Sequence, residues 1–383
     1  MSFYDVIIVG AGPAGAAAAK SAAKNGAKVL LIEKHPTIQA NKPCGEAVSA
    51  RTFETAGIPI KDEFIVNVAY AQVYSPSLKR IDIKEKGFLI NKSRFIQELV
   101  VHAVENGAEV KVREEVKEAG FDVNDKLVKV KTVHGEYKCK VLIGADGYAS
   151  VVARSFGINE KSEPIPTVQY IMVGKKFRDI DAVRFYVANK WAPKGYAWIF
   201  PKNEKMAEVG VGVRGGPAKL FLDKFIQDFK EELGGAQIID YRGAPVPIGG
   251  MINNDVSDGF ILIGDAAGTV MPLTGGGIHS CVASGMIAGE VAAKAALEGN
   301  NSKERLMGYR RRYDEYWGDR IKKSLKAMRV LERLSDEELD ELADILVDSD
   351  ILDLANGLDI KRVALKLLSH PRLAISVAKA LLS

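Results

Sequence analysis

The 383-residue sequence predicts an α/β protein with a parallel sheet built from separated segments, an inserted antiparallel sheet and a helical C-terminal region. An apolar, β-branched run at residues 5–10 precedes an alanine-rich helical pattern and a second apolar run, which is typical of a β-α-β unit. Two later apolar runs end in "GADG" and "GDAAG" and repeat the pattern of a strand followed by glycine. Short alternating runs rich in aromatic and β-branched residues lie between these two and indicate antiparallel strands.

The predicted elements follow in a clear order along the chain. "DVIIVG" is a strand, "PAGAAAAKSAAKNG" a helix with a terminal glycine, and "KVLLIEK" the next strand. "RFIQELVVHAVENGAEV" predicts a helix and a strand, and "YKCKVLIGADG" a further strand. The antiparallel strands are "TVQYIMVG", "AVRFYVAN", "GYAWIFP" and "MAEVGVGVR", followed by the amphipathic helix "AKLFLDKFIQDFKEEL". The parallel sheet resumes at "GFILIGDAAG", and the long helix "GIHSCVASGMIAGEVAAKAAL" comes after it.

This order predicts domains that are discontinuous in sequence. We expect the parallel-sheet domain to comprise residues 1–65, 90–155 and 255–300, the antiparallel-sheet domain residues 66–89 and 156–254, and the helical region residues 301–383.

Composition excludes several classes of protein. Apolar content of 47% and charged content of 27% are ordinary for a globular chain, and a net charge of +4 argues against a nucleic-acid-binding domain. Three scattered cysteines argue against a secreted disulfide framework, and the five histidines lack metal-ligand spacing, so we expect no metal. Since neither a signal peptide nor a membrane-spanning run is evident, we expect a cytoplasmic protein, with peripheral contact at the inner membrane surface as an open alternative.

A glycine motif between the first strand and the first helix predicts a dinucleotide site. Gly10, Gly12 and Gly15 have the G-x-G-x-x-G spacing, which allows a tight turn, close approach to a pyrophosphate and close packing of helix on strand. Glu33 ends the second strand, where a carboxylate accepts a hydrogen bond from a ribose hydroxyl. The pattern is typical of a Rossmann-like domain and leaves NAD and FAD as alternatives.

The two later glycine turns favour FAD. "GADG" and "GDAAG" place Asp146 and Asp265 after buried strands, and here the chain resembles the FAD-dependent family that includes p-hydroxybenzoate hydroxylase. The resemblance implies that Asp265 holds the ribityl and pyrophosphate region, that residues 272–278 ("PLTGGGI") run along the isoalloxazine, and that Arg94 contacts the flavin. For Asp146 we expect a structural role in its turn, and for Arg94 a solvated helix charge is the alternative.

Three further motifs are similar to those of the geranylgeranyl reductase family, in particular the archaeal digeranylgeranylglycerophospholipid reductases. They are "KPCGEAVS", "PKGYAWIFP" and "GDAAGTVMPLTGGGI". The resemblance implies a Rossmann-like FAD-binding domain and FAD-dependent saturation of isoprenoid C=C bonds of geranylgeranyl chains in membrane glycerophospholipid or its precursors. The flavin contacts that it implies are Ala14, Glu33, Cys44, Gly45, Ala47, Arg94, Val116, Asp265, Gly277 and Ile278.

Cys44 is the candidate catalytic residue of this set. An isolated alkene needs a proton as well as a hydride, and a buried thiol stays protonated. Glu46 and an ordered water are the other candidate acids, and a small apolar filler beside the flavin is the structural alternative for Cys44.

An aromatic face is the candidate substrate channel. Strand alternation places Tyr196, Trp198 and Phe200 on one side of the strand in "GYAWIF", which suits a long apolar chain. An ordinary sheet core is the alternative.

The helical region carries an amphipathic stretch at residues 306–329 with a strongly basic face. A helix packed on the body with a solvated face is one interpretation, and contact with anionic lipid is the other. Its apolar positions are Leu306, Tyr309, Tyr313, Trp317, Ile321, Leu325 and Met328.

Two alternative functions stay open from the sequence. A flavin monooxygenase or halogenase acting on an apolar substrate shares the fold, but "GYAWIFP" departs from the halogenase Trp-x-Trp-x-Ile-Pro pattern at Tyr196 and Phe200. A non-catalytic prenyl-lipid carrier would not need an intact flavin site. The electron donor is also open between a nicotinamide, a deazaflavin and a ferredoxin.

Overall fold

The computed structural model describes residues 2–40, 42–370 and 373–374, and this part of the chain forms two eight-stranded sheets with helices around them. Strands and helices are numbered separately in chain order. The strands of the first sheet are β1 (Ser2–Val9), β2 (Val29–Ile32), β6 (Glu109–Lys111), β7 (Val116–Asp122), β8 (Leu127–Thr132), β9 (Glu136–Gly144), β15 (Val256–Ser257) and β16 (Phe260–Leu262). Those of the second are β3 (Ala47–Ser49), β4 (Ile65–Tyr74), β5 (Arg80–Ile90), β10 (Pro164–Val173), β11 (Ala182–Tyr186), β12 (Tyr196–Asn203), β13 (Met206–Gly212) and β14 (Gln237–Pro247).

The helices lie between and after these strands. They are α1 (Pro13–Lys24), α2 (Ala50–Ala56), α3 (Lys92–Glu105), α4 (Val151–Ser155), α5 (Ala218–Asp228), α6 (Lys230–Leu233), α7 (Ile278–Leu297), α8 (Lys303–Leu306), α9 (Gly308–Tyr313), α10 (Asp319–Leu331), α11 (Asp336–Ile345), α12 (Asp348–Asn356) and α13 (Ile360–Leu368). A π-helical segment, Asp314–Gly318, joins α9 to α10.

The first sheet has the parallel centre that the sequence predicts. Its order is β15-β16-β9-β1-β2-β6, with β7 and β8 attached beyond β9 as a hairpin. The parallel pairs bring the ends of β1, β2 and β9 to one edge, because Val9 pairs with Ile32 and with Gly144. Ligands of open α/β sheets bind at this carboxyl edge.

Helices α1 and α7 pack closely against each other and against the first sheet. A Cβ atom at Gly285 would overlap the carbonyl of Ala14, and one at Gly289 would overlap the carbonyl of Ala18. Among the described residues, α7 is the one helix long and apolar enough to cross a bilayer, and 72% of its most apolar stretch is buried inside the protein.

The second sheet has the order β14-β10-β13-β12-β11-β4-β5-β3. One face packs on α5, where Ile199, Val209 and Val211 join Leu222 and Phe225 in one buried cluster. The sheet is antiparallel except at β4 and β11, which pair in parallel with Tyr70 opposite Ala182. This pairing joins the early segment to the inserted strands in one sheet. β3, which lies within residues 1–65, belongs to the same sheet.

Several strands lack a clear signal in the sequence. The hairpin of β7 and β8 alternates with exposed lysine and glutamate, and β14 carries glycine and prolines. The long β4 and β5 are mostly half-buried or exposed, so their apolar alternation is weak.

The basic stretch at residues 306–329 packs on the body of the protein. All of its predicted apolar positions are buried except Leu325, which is half-buried. The packed-helix interpretation therefore describes its apolar face, although α8, α9, the π-helical segment and α10 replace one continuous helix. Helices α11–α13 form a further cluster around Leu339, Leu342 and Val363, which also contacts Ile81 and Val187 of the second sheet region.

Candidate active site

A cavity of about 1150 Å³ runs from the carboxyl edge of the first sheet to the C-terminal helices. The glycine motif and residues 271–281 line one part, and the face of the second sheet opposite α5 lines the next. Leu339, Leu342, Leu346 and Leu354 of α11 and α12, with the connection between these helices, line the far part. The cavity therefore connects the predicted nucleotide site with an apolar space beyond it.

The glycine motif has the geometry of a phosphate site. Gly10 has a φ of +98°, and Gly15 lies so close to it that a Cβ atom would overlap the Gly10 carbonyl. A Cβ atom at Gly12 would instead meet nothing within 4 Å, so this glycine faces open space at the start of α1. The Glu33 carboxylate, 9% exposed, accepts hydrogen bonds of 2.9 Å from the backbone N–H groups of Ala11 and His35.

Asp265 lies in a short 3₁₀ turn, Gly264–Ala266, beside the start of α1, since a Cβ atom at Gly264 would lie 2.9 Å from the Ala14 Cβ. Its carboxylate forms a tight ion pair with Lys42, a residue that sequence reasoning missed. The glycine run 275–277 leads into α7, whose N-cap is Gly277. Asp146, by contrast, accepts hydrogen bonds from Ser150 Oγ and the N–H groups of Val151 and Val152, so it organises the turn into α4 as expected.

The loop that contains Cys44, residues 42–46, also lines the cavity. The Cys44 side chain is half-buried, and its Sγ accepts a hydrogen bond from the Glu46 N–H at 3.4 Å. Gly45 lies against Phe200, because a Cβ atom there would overlap the ring. Glu46 adopts a left-handed φ of +58°, which is uncommon for a residue other than glycine. The loop is therefore held in an unusual conformation next to the aromatic strand.

The aromatic face of β12 lines the cavity. Tyr196 Oη donates a hydrogen bond of 2.5 Å to the carbonyl of Thr274 in the glycine-rich loop, and burial raises its pKa. Trp198 covers Gly210, where a Cβ atom would overlap its ring. Phe185 contacts Tyr196 and Phe200 edge to face, with ring centroids 5.4 and 5.1 Å away. These rings form one wall of the cavity, whereas the opposite face of the sheet packs on α5.

The structure brings most of the sequence-predicted cofactor residues to this cavity. Gly15 lies behind Gly10 and outside the lining, and Arg94 is exposed and also outside it. The predicted residues that line the cavity are Gly10, Gly12, Ala14, Glu33, Cys44, Gly45, Ala47, Val116, Asp265, Gly277 and Ile278.

Two charged residues near Phe200, Lys202 and Glu208, are not among the site residues predicted from the sequence. Lys202 follows Phe200 on the same face of β12, and Glu208 stands opposite Phe200 on β13. Burial raises the pKa of Glu208 to about 7, although Lys202 opposes this shift. The sequence does contain a signal for Glu208, because this acidic residue interrupts the otherwise apolar strand pattern "MAEVGVGV".

His279 also lines the cavity, at the first turn of α7. Its Nε2 lies 2.8 Å from Thr55 Oγ1, and its ring contacts Trp317 edge to face. Burial lowers its pKa to about 4, so the ring is neutral at physiological pH. Among the described residues, no three His, Cys, Asp or Glu side chains form a group suited to a metal ion.

Comparison with known families agrees with this geometry. Residues 5–161 match the family described as FAD dependent oxidoreductase, and residues 164–246 match the geranylgeranyl reductase catalytic domain. The fold and the site thus define a FAD-dependent oxidoreductase.

Relatives of nearly equal length narrow this class. The chain is 37% identical to digeranylgeranylglycerophospholipid reductase 2 of Methanopyrus kandleri, over 99% of each chain. It is 36% identical to the digeranylgeranylglycerophospholipid reductase of Methanocaldococcus jannaschii, over 99% of this chain and 98% of the other. The chain belongs to the digeranylgeranylglycerophospholipid reductase family.

Solved structures share this fold over the whole chain. A geranylgeranyl bacteriochlorophyll reductase-like protein from Thermoplasma acidophilum superposes with a TM-score of 0.88, at 29% identity, covering 99% of this chain and 100% of that chain. The halogenase PltM in complex with FAD superposes with a TM-score of 0.72 at 16% identity, covering 98% of this chain and 85% of that chain. At that identity the likeness to the halogenase concerns the fold alone.

Proposed function

We propose that the protein uses FAD to saturate C=C bonds of the geranylgeranyl chains of a membrane glycerophospholipid or its precursor. The names of the full-length relatives support this substrate class. The observation that carries the proposal is the continuation of the cavity beyond the glycine motif, along an aromatic wall and into leucine-lined space between the C-terminal helices.

The two chemically different ends of the cavity support two occupants. Its volume of about 1150 Å³ lies just above the range of about 300–1,000 Å³ that is typical of a site for one small ligand. Its nucleotide end carries glycines and carboxylates, whereas leucines predominate at the other end, with Ser349, Asp353 and Asn356 among them. A long hydrocarbon chain suits the apolar part, because flat rings and leucines bury its surface without demanding hydrogen bonds.

The residues at the nucleotide end fit FAD. Gly12 leaves open space that a side chain would fill, and the N-terminus of α1 points its free N–H groups there. Glu33 and Asp265 both line this part of the cavity and offer carboxylates to it. We infer that Glu33 binds a ribose hydroxyl, that Asp265 binds the ribityl region, and that residues 275–277 border the ring system.

Reduced flavin supplies a hydride when it is bound. The chain itself must orient the alkene, exclude water and provide a proton. Trp198 and Phe200 offer an apolar wall for the alkene, and Tyr196 ties this wall to the glycine-rich loop. Cys44 and Glu46 line the cavity beside the wall and are candidate proton donors, with an ordered water as the third.

The decisive experiment is an anaerobic single turnover. The FAD-loaded protein is reduced with dithionite, an unsaturated digeranylgeranyl lipid is added, and flavin absorbance is followed together with product mass. We expect flavin reoxidation, with two hydrogens gained for each double bond saturated. The same lipid with saturated chains is the control and should leave the flavin reduced. Nicotinamide, deazaflavin and ferredoxin can then be compared as electron donors.

Two other outcomes would replace the proposal. A flavin that stays reduced until oxygen enters, followed by an oxygenated product, would favour a monooxygenase or halogenase. A protein that binds the lipid but takes up no FAD would favour a prenyl-lipid carrier.

We also propose peripheral contact with a membrane near the C-terminal helices. Leu358 lines the cavity and is 37% exposed, and Leu365 on α13 is 69% exposed. Lys361 is exposed on the same helix. An apolar surface beside a basic side chain suits a bilayer surface, and there a lipid chain could enter the cavity.

A further inference from the structure

A buried lysine lies between two carboxylates beside the cavity. Lys202 Nζ is 3.0 Å from Glu46 Oε2 and 3.6 Å from Glu208 Oε2. The side chains of Lys202, Glu46 and Glu208 are 12%, 21% and 1% exposed. These three residues are named the carboxylate–lysine cluster below.

The charges of the cluster do not balance when all three groups are ionised. One ammonium then faces two carboxylates, which leaves one negative charge in excess in a poorly solvated place. Trp198 Nε1 donates a long hydrogen bond of 3.4 Å to Glu208 Oε1. The buried Lys92 at the start of α3 is outside the cluster, and its Nζ donates to the Lys42 carbonyl. Its charge also favours ionised Glu208, but less than the charge of Lys202 does and less than the charge of Glu46 opposes it. The cluster can therefore accept one proton, and protonation of Glu208 removes the excess charge.

The cluster reaches the cavity through Glu46. Glu46 lines the cavity, as do Trp198 and Phe200, whereas Lys202 and Glu208 lie behind this lining. The left-handed backbone of Glu46 costs conformational energy and places its carboxylate against Lys202 instead of in open solvent. Cys44, two residues earlier, is tied to the Glu46 N–H. The cluster is thus a connected path of ionisable groups from the sheet interior to the reaction space.

We propose that the carboxylate–lysine cluster stores the proton needed for alkene reduction, with Glu208 as the buried store and Glu46 as the group that releases the proton into the cavity. This inference rests on the proposed function. Lys202 links the two carboxylates, so Glu208 and Lys202 act as positioning residues and Glu46 as the catalytic residue.

The proton and electron balance of the step is simple. Glu208 gives its proton to Lys202 as Lys202 gives one of its own to Glu46. The O–H bond of Glu46 then breaks as a C–H bond forms on one alkene carbon. The other alkene carbon would take a hydride, with both electrons, which reduced FAD would supply when bound at the nucleotide end of the cavity. The cluster ends with Glu208 ionised and regains its proton from water at the partly exposed Glu46.

The first test needs no turnover. Infrared spectroscopy of the oxidised holoprotein in a pH series should show the C=O band of a protonated carboxyl that disappears as pH rises through about 7. Glu208→Gln should remove this band. The matched control is Asp255→Asn, since Asp255 is also 1% exposed with its pKa raised to about 6, but lies beside Arg310 and outside the cavity lining. Asp255→Asn should leave the Glu208 band in place.

The second test follows the reaction of pre-reduced enzyme with lipid. In the wild type the rate should fall as pH rises through about 7, because the store is then empty. Glu208→Gln should slow the step on the order of 10²-fold, the usual contribution of a positioned acid, and remove this pH dependence. Reduction of the flavin by dithionite should not change. Glu46→Gln should slow the step similarly and should shift the loss of the carboxyl band to lower pH, because one of the two carboxylates that face Lys202 is then gone. A band that shifts but persists would show that the surroundings of Glu208 are intact, which separates loss of the acid from a folding defect.

The results separate this inference from the function on which it rests. A wild type without the band, or a Glu208→Gln variant with the wild-type pH profile, would overturn the proton store, as would an unchanged rate in Glu46→Gln. A wild type that shows the band but never reduces the lipid would refute the proposed function and leave the buried protonated carboxyl established. A cluster that only fixes the Cys44 loop would lose activity on substitution without any change in the pH profile.

Discussion

Two candidate proton donors line the cavity two positions apart in the sequence, the thiol of Cys44 and the carboxyl group of Glu46. They differ in their surroundings. Glu46 is paired with a buried ammonium that is itself next to a second carboxylate, whereas the Cys44 sulfur accepts one hydrogen bond from the backbone. Among the described residues, Lys202 donates a hydrogen bond to Glu46, whereas Cys44 acts on Lys202 only through its charge. A group that is hydrogen-bonded to a further ionisable group can regain a proton through it after each turnover. This contrast favours Glu46 as the acid and Cys44 as a residue that shapes the wall.

Cys44→Ala tests that assignment. We expect flavin binding and the pH dependence near 7 to persist, with less than about a tenfold loss in the rate of lipid reduction, because a removed acid costs on the order of 10²-fold or more. The measurement is the anaerobic rate across pH. Cys139→Ala is a control for loss of a thiol at a buried position outside the cavity lining. A loss of about 10²-fold together with a flat pH profile in Cys44→Ala would move the acid role to the thiol.

Among the secondary-structure elements, β11 is tied to α6 by a buried ion pair. Arg184 donates from Nη1 to Glu232 Oε2 at 2.9 Å and from Nη2 to Glu232 Oε1 at 2.6 Å. The two residues are 3% and 7% exposed. Glu232 also accepts a hydrogen bond from the Arg178 N–H. The pair fixes the end of the helical layer over the sheet face that lies opposite the cavity.

Removing one partner of this pair should be costly. Arg184→Met leaves the buried Glu232 carboxylate without its guanidinium partner, and we expect the free energy of unfolding to fall by about 3–5 kcal/mol. The double variant with Glu232→Met should lose much less, because no unpaired charge stays buried. Lys219→Met is the matched control, since the exposed Lys219–Asp223 pair should contribute less than about 1 kcal/mol. Denaturant unfolding measures all of these, and a loss in Arg184→Met no larger than the control would contradict the expectation.

At the scale of the whole molecule, the cavity is formed by three parts of the chain that are far apart in sequence. The first sheet supplies the glycine motif, the second sheet the aromatic wall, and α11 and α12 the leucine-lined end. Leu358 lines the cavity and is partly exposed, and Leu365 is exposed on α13, which packs on α11 and α12. A long lipid chain could therefore enter from a membrane surface while its reacting part reaches the cofactor.

Vesicle binding tests this arrangement. The protein should sediment with anionic vesicles more than with neutral ones, and less at high salt, since basic residues near the surface each add roughly 1 kcal/mol. Leu365→Glu should lower the partition coefficient about tenfold, because burying a leucine contributes about 1.5–3 kcal/mol. Leu220→Glu is the matched control, at 65% exposure on the distant α5. Equal binding by both variants, or none by the wild type at any salt, would remove the membrane proposal.

Local patterns predicted the parts of the fold with strong periodicity. The glycine spacing and its neighbouring strand and helix identified the nucleotide site, since each glycine meets a local backbone requirement. The alternation of Tyr196, Trp198 and Phe200 identified a shared face for the same reason. Strands without such a pattern, such as β4, β5 and β14, were weakly marked because half-exposed positions do not alternate clearly.

The sequence by itself determined the nucleotide site, the aromatic face and the family of the protein, because short-range spacing controls backbone turns and the direction of side chains. Only the tertiary structure decided that Lys42 meets Asp265 and that Glu46, Lys202 and Glu208 form one cluster. Those contacts depend on the pairing of β12 with β13 and on a loop from the first part of the chain that packs against Phe200. Local periodicity does not encode these contacts, because they arise from how segments that are distant in sequence pack together.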